Sequence, residues 1–180
     1  MNSPADLLNK PAPDFSLPLA GGNGRLALSS WRGHVVIVHF WSAECPWSRR
    51  ADLVLVYRQL VWEQAQVHIL GVACNPTEPE SEIRHEIELR RIRYPIVVDY
   101  AQDIANLYRV QTTPHLLVVD KHGVIRYIGA LDDATASQPI PNTIYLDRAI
   151  TAILKDQAPA PAFIAPYGSA LPLREIGEIR

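Results

Sequence analysis

The run Val35-Val36-Ile37-Val38, followed by His39-Phe40-Trp41, constrains the fold more than any other segment. Four consecutive β-branched residues lose side-chain freedom in a helix and pack well on a pleated surface. With no polar residue alternating through 35–38, the predicted strand is buried on both faces, which places it in the middle of a sheet covered by helices. The sequence then passes within a few residues to Cys45-Pro46, where Pro46 suits a first helical turn because its missing N–H is not needed there. Leu53, Val56, Tyr57, Leu60 and Val61 recur at helical spacing beyond it, so Cys45 falls at the helix N-cap.

Other elements follow from similar signals. Phe15, Leu17 and Leu19 alternate before Gly21-Gly22-Asn23-Gly24, predicting an extended arm and hairpin turn leading to Leu26–Leu28. Val67–Ala73 reads as a second strand. A helix follows with an acidic first turn, Glu78, Glu80 and Glu82, and Arg90, Arg91 and Arg93 at its end, a charge order that complements the helix dipole. Pro95 stops it, Ile96–Asp99 makes a short strand and Ala101–Tyr108 a short helix. His115–Asp120 and Val124–Gly129 flank a Gly-ended turn and pair as an antiparallel hairpin. Thr143–Lys155 closes the domain as a helix, with Ile144, Leu146, Ile150 and Leu154 as predicted core contacts. The order gives an α/β fold with a mixed central sheet. The 180 residues, 48% of them apolar, suffice for one such domain over 1–157, and prolines 159, 161, 166 and 172 set off a C-terminal extension over 158–180.

The chemistry centres on Ser42-Ala43-Glu44-Cys45-Pro46-Trp47-Ser48-Arg49-Arg50. A cysteine at a strand-to-helix junction faces unpaired backbone N–H groups and the positive end of the helix dipole, and both favour the thiolate. Arg49 and Arg50 add positive charge, the Ser48 hydroxyl lies one turn along, and Glu44 opposes. Cys45 is therefore read as reactive. The alternative is an inert buried thiol.

The segment from Trp31 to Arg50 resembles the thioredoxin superfamily, in which an apolar strand ending in Phe-Trp leads to a cysteine at a helix start. Thr112-Thr113-Pro114-His115, followed by two strands, resembles its cis-proline hairpin. Arg126-Tyr127-Ile128-Gly129 and Asp132-Asp133 are similar to the peroxiredoxin-like branch of the alkyl hydroperoxide reductase/thiol-specific antioxidant, or redoxin, families. The resemblance implies a thioredoxin-like fold, Cys45 as the nucleophile and Pro114 as a cis-proline facing it, leaving the Thr113 backbone free to pair with an extended substrate.

The chain departs from those families at several positions. Ser48 stands where a dithiol thioredoxin has its resolving cysteine, so a C-x-x-C disulfide is impossible. Ser42 matches the hydroxyl three residues before a peroxidatic cysteine, but Val38 replaces the proline of that signature. Pro114 occupies the position of the peroxide-polarising arginine, leaving Arg49, Arg109 or Arg126 as substitutes. His39 replaces a buried carboxylate used in proton transfer and reads either as its substitute or as a core histidine. Where some redoxin relatives carry a cysteine after a glycine in the tail, Gly168 is followed by Ser169.

Cys74 ends the strand expected beside that of Cys45, so the two sulfurs are candidates for pairing if they come close enough. Trp31, Trp41 and Trp47 are candidates for a docking rim, with Trp47 the most exposed. The histidines lack metal-ligand spacing and there is no phosphate-cradling loop, so neither metal nor cofactor is expected. With 19 acidic against 17 basic residues, nucleic acid is not an expected partner. No apolar run approaches a membrane span, and Asp6 and Asn9 break up the N-terminus, so no membrane association or secretory leader is expected. Two cysteines suit a reducing cytoplasm. The function expected is single-cysteine thiol chemistry on a disulfide or a peroxide, completed by an external thiol from a small molecule or a thioredoxin-like protein. The competing readings are a non-catalytic binding module and a redox sensor.

Overall fold

A computed structural model describes residues 3–174. Its elements in chain order are β1 Ser16–Pro18, β2 Arg25–Ala27, β3 Val35–Trp41, α1 Pro46–Gln64, β4 Val67–Ala73, α2 Glu80–Leu89, β5 Ile96–Val98, α3 Asp103–Leu107, β6 Thr112–Thr113, β7 His115–Val119, β8 Ile125–Gly129, α4 Tyr145–Leu154 and β9 Ser169–Ala170. The β-branched strand β3 is buried throughout and stands third in a five-stranded sheet, β5-β4-β3-β7-β8. Strands β3, β4 and β5 run parallel, whereas β7 is antiparallel to β3 and β8 to β7.

Because successive strand residues face opposite ways, β3 divides its side chains between two cores. Val35, Ile37 and Trp41 pack with Leu55, Ile83, Leu146 and Ile150 on one side, while Val36, Val38 and Phe40 pack with Tyr108, Phe15 and Leu28 on the other. The sheet's centre is therefore covered on both faces, and the parallel strands deliver Cys45 and Cys74 to the same edge.

Several details differ from the sequence expectations. Helix α1 forms where its periodicity predicts, but Leu53, Tyr57, Leu60 and Val61 face solvent. Its buried side is Ser48, Ala51, Asp52, Leu55, Gln59 and Trp62, because polar groups on that face find partners or a core boundary that periodicity alone does not reveal. Leu154 is 44% exposed rather than a core contact, since it ends α4 on the solvent side. Glu78 precedes α2 instead of belonging to its first turn, and Arg90 caps that helix with Arg91 and Arg93 beyond it. Trp41 is fully buried and Trp31 packs against the second core, so the three tryptophans do not form a common rim.

The C-terminal extension wraps the domain. Ile128 N–H donates to Ala162 O at 3.0 Å and Ile164 N–H to Ile128 O at 3.1 Å. The close approach needs Gly129, where an added Cβ would fall 1.9 Å from Ile164 O. Farther on, β9 pairs antiparallel with β6, matching Thr112 with Ala170 and Thr113 with Ser169. Leu171 N–H reaches Gln111 O at 2.8 Å, and the buried Gln102 amide donates to Pro172 O at 2.7 Å.

Candidate functional site

Cys45 caps α1 with its own side chain. Its backbone is extended (φ −76°, ψ 118°), and its sulfur accepts the Ser48 N–H at 3.4 Å. Pro46 occupies the first helical turn as expected. Opposite the thiol lies the Thr113–Pro114 peptide, which is cis, with the Thr113 carbonyl 3.0 Å from Sγ. Ser169 of the extension brings its Oγ to 3.3 Å from the same sulfur.

Burial pushes the Cys45 thiol up, but hydrogen bonding at Ser169 and Ser48 outweighs burial and holds it below the ordinary thiol value. These partners do different things. A carbonyl only accepts, so Thr113 O holds the resting S–H, whereas the Ser48 N–H and the Ser169 hydroxyl can donate to a thiolate.

The loop before Cys45 is fixed by a residue whose role the sequence did not reveal. Glu78, buried on the strand-to-helix connection, accepts hydrogen bonds from Ala43 N–H at 3.0 Å, Glu44 N–H at 2.9 Å and Asn75 Nδ2 at 3.1 Å. The Ser42 hydroxyl also donates to it. The Asn75 side chain points at it from the end of β4, and Asn75-Pro76 was the available sequence signal for a structured turn.

A second buried network lies beneath. Asp52 accepts from Trp41 Nε1 at 2.8 Å, Arg90 Nη1 at 2.8 Å and Tyr94 Oη at 2.7 Å. Arg90 also donates to the Ala43 carbonyl, joining α2 to the loop that carries the cysteine.

The other sequence candidates fall in different places. Ser42 turns its hydroxyl to Glu78, while its N–H reaches Ser48 Oγ at 3.4 Å. Arg49 pairs with Glu86 at 3.1 Å and Arg50 with Asp132 at 2.7 Å, so both guanidiniums are committed to carboxylates rather than to the sulfur. Arg109 bonds to Ser3 O and Asp6, and Arg126 lies 3.9 Å from Asp120. Trp47 is partly covered by Tyr167, edge to face at 4.7 Å between centroids, instead of standing free as a docking rim.

His39 is fully buried, 3.8 Å from Asp52, with both ring nitrogens lacking hydrogen-bond partners. Burial lowers it to about 4 against the pull of Asp52, so it is neutral near pH 7. Cys74 is fully buried in the second core, and both cysteines are free thiols. Burial, then Asp99 and Glu78, push the Cys74 thiol up. The Thr113 backbone is not free for an extended substrate as the resemblance implied, because β9 already pairs with it. Among the described residues no cluster of His, Cys, Asp or Glu is arranged to hold a metal, and no helix is long and apolar enough to cross a membrane.

The AhpC/TSA family matches residues 8–128. The chain belongs to the AhpC/TSA family. The matched span of this AhpC/TSA chain contains Cys45, Glu78 and Pro114, while Ser169 lies beyond it. Over 118 residues it is 31% identical to the thiol-disulfide oxidoreductase ResA of Geobacillus kaustophilus strain HTA426, covering 65% of this chain and 66% of that protein. It is also 31% identical over 137 residues to the thiol:disulfide interchange protein DsbE of Allochromatium vinosum, covering 72% of this chain and 71% of that protein. A crystal structure of an uncharacterised conserved protein from Geobacillus kaustophilus superposes with a TM-score of 0.86 at 20% identity, covering 93% of each chain. The fold is thioredoxin-like: a mixed central sheet flanked by helices.

Proposed function

We propose that this AhpC/TSA protein is a thiol-disulfide oxidoreductase in which Cys45 is the nucleophile and an external thiol completes the cycle. The observation that carries the reading is the position of the Cys45 sulfur at the N-cap of α1, where it accepts the Ser48 N–H and has the Ser169 hydroxyl 3.3 Å away, within reach to donate to a thiolate, and a thiol value below the ordinary one. Relatives named as thiol-disulfide oxidoreductase and thiol:disulfide interchange protein support it.

In this cycle the Cys45 thiolate attacks one sulfur of a disulfide RSSR, forming Cys45–S–SR and releasing RS⁻. An external thiolate R′S⁻ then attacks the SR sulfur, regenerating Cys45 thiolate and leaving RSSR′. Ser48 cannot supply the second thiol, and Cys74 is sealed in the other core. The thiol must therefore come from outside, which suits a reducing compartment such as the cytoplasm. Exchange is favoured over peroxide reduction because the Ser42 hydroxyl is bound to Glu78, and Arg49 and Arg50 to carboxylates.

The test is to treat the protein with 2-hydroxyethyl disulfide and map the product by mass spectrometry. One hydroxyethylthio adduct at Cys45, removed by added thiol, is expected. No adduct, or an adduct confined to Cys74, overturns the reading and leaves a binding module. A parallel treatment with hydrogen peroxide that oxidises Cys45 faster than the disulfide modifies it would overturn the preference for exchange.

A further inference from the structure

The edge strand beside Pro114 is where an extended polypeptide would add to the site, since an unpaired strand edge recruits main-chain partners. In this chain the edge is already taken. The extension lays Ser169–Ala170 antiparallel along Thr112–Thr113 and puts the Ser169 hydroxyl 3.3 Å from the Cys45 sulfur.

We infer that β9 is a built-in specificity strand that excludes extended polypeptide disulfides from the Thr112–Thr113 edge and restricts Cys45 to small, non-peptidic disulfides, with Ser169 as the positioning hydroxyl for the thiolate. The inference rests on the exchange reading above and names its substrate class.

Four observations carry it. The strand is held on both sides of the pairing, with Leu171 N–H bonded to Gln111 O at 2.8 Å and Tyr167 packed against Trp47. Leu171 is itself buried in the second core. The Gln102 amide, 2% exposed, fixes the outgoing chain from both of its ends, donating to Pro172 O at 2.7 Å and accepting from Arg174 N–H at 2.7 Å. Gly168 fits against the site so tightly that an added Cβ would fall 2.1 Å from Thr113 O and 3.1 Å from Pro114 Cδ.

The strand is thus part of the domain's hydrogen-bonded frame. Cys45 is only 3% exposed beneath it. A small disulfide makes no main-chain pairing with Thr113, so its reaction calls for side-chain movement over the sulfur but no loss of the β6–β9 pairing. A polypeptide that must pair with Thr113 has to displace β9 and the anchors that follow it.

The same geometry supplies the test. Cys45 reaction rates are compared for two disulfides with the same leaving thiol: 2-hydroxyethyl disulfide, and an extended peptide whose single cysteine carries a hydroxyethylthio group. In the full chain the small disulfide is expected to react faster by about tenfold or more, the order of magnitude for two backbone hydrogen bonds that must first be surrendered.

Gly168→Val lifts the strand off the edge and carries the Ser169 hydroxyl with it, so both absolute rates change, but the peptide is expected to gain about tenfold relative to the small disulfide. Ser169→Ala keeps the backbone pairing but removes the hydroxyl. It is expected to raise the midpoint of the Cys45 pH–rate profile and leave the ratio between the two disulfides unchanged, which a merely structural serine would not do.

Equal rates for the two disulfides in the unaltered protein overturn the inference while leaving the exchange reading intact. A ratio unchanged in folded Gly168→Val overturns it too. If neither disulfide reacts although Cys45 alkylates, the exchange reading falls and the inference falls with it. The unaltered-chain ratio decides the matter even if Gly168→Val fails to fold.

Discussion

Cys45 and Cys74 follow neighbouring parallel strands at the same edge of the sheet and are almost equally hidden, at 3% and 0% exposed. Their thiols are nevertheless shifted in opposite directions, Cys45 below the ordinary value and Cys74 above it. Burial pushes both upward, and Cys74 the more strongly because it lies deeper, so burial alone cannot explain a downward shift at Cys45. Donors can. Cys45 caps a helix and has an N–H and a hydroxyl to receive, whereas Cys74 lies among apolar side chains with its sulfur 3.8 Å from the Trp41 carbonyl and two carboxylates nearby. A cysteine's reactivity in this fold is set by which end of the hydrogen bond its neighbours offer.

The most severe way to break the comparison is to remove each sulfur in turn. Cys45→Ser is expected to slow exchange with 2-hydroxyethyl disulfide by about 10³-fold or more, because the reaction loses its nucleophile. Cys74→Ala is expected to leave that rate within about threefold while lowering unfolding stability by ~1–3 kcal/mol, the usual range for a buried side chain. Stopped-flow kinetics and urea melts on the two variants check both halves. A comparable kinetic loss in Cys74→Ala would end the distinction.

Glu78 touches both sides of the comparison, since it clamps the loop before Cys45 and adds negative charge near Cys74. Glu78→Gln replaces one acceptor oxygen with a donor facing donors already in place. A loss of ~2–3 kcal/mol is expected from the buried group left unpaired, together with slower alkylation of Cys45 as its loop loosens. Urea melts and labelling rates measure the two effects. Unchanged stability would show that the loop holds itself.

A smaller effect sharpens the point that burial without donors suppresses charge. His39 falls to about 4 from an ordinary 6.5, and His115 likewise falls to about 4. A depressed histidine leaves the unfolded chain binding more protons than the folded one between about pH 4 and 6.5. Stability therefore rises with pH across that window and is complete above it. His39→Leu is expected to shrink the stability difference between pH 7 and pH 4.5 by ~2–3 kcal/mol, with His115 supplying the remaining slope. Urea melts at the two pH values measure it, and an unchanged difference would mean that Asp52 cancels the effect of burial and leaves His39 at its ordinary value.

These effects also mark what the sequence could reveal. The strand at 35–41 was legible because β-branched residues leave few alternatives, and the Cys45 cap was legible because Pro46 fixes a helix start. Glu78 was not, since an acid beside a helix start ordinarily serves the dipole and only the folded loop turns it into a clamp. The buried face of α1 was not legible, because Ser48, Asp52 and Gln59 look solvent-facing until Arg90, Tyr94 and Trp41 surround Asp52. Ser169 carried no local signal for its place. Its position depends on a strand pairing with Thr113 across the fold, which local patterning cannot encode.

The central claim is that donors at the start of α1 make Cys45 a thiolate more readily than an ordinary cysteine. Its most direct test is the pH dependence of iodoacetamide alkylation, followed peptide by peptide in the native protein. The thiolate reacts, so the rate rises with pH through the thiol's titration. The expected profile for Cys45 has its midpoint below the ~8.5 of a free cysteine, with Cys74 unlabelled over the same range. A Cys45 midpoint at or above that of a free thiol, or equal labelling of both cysteines in the folded protein, would contradict it.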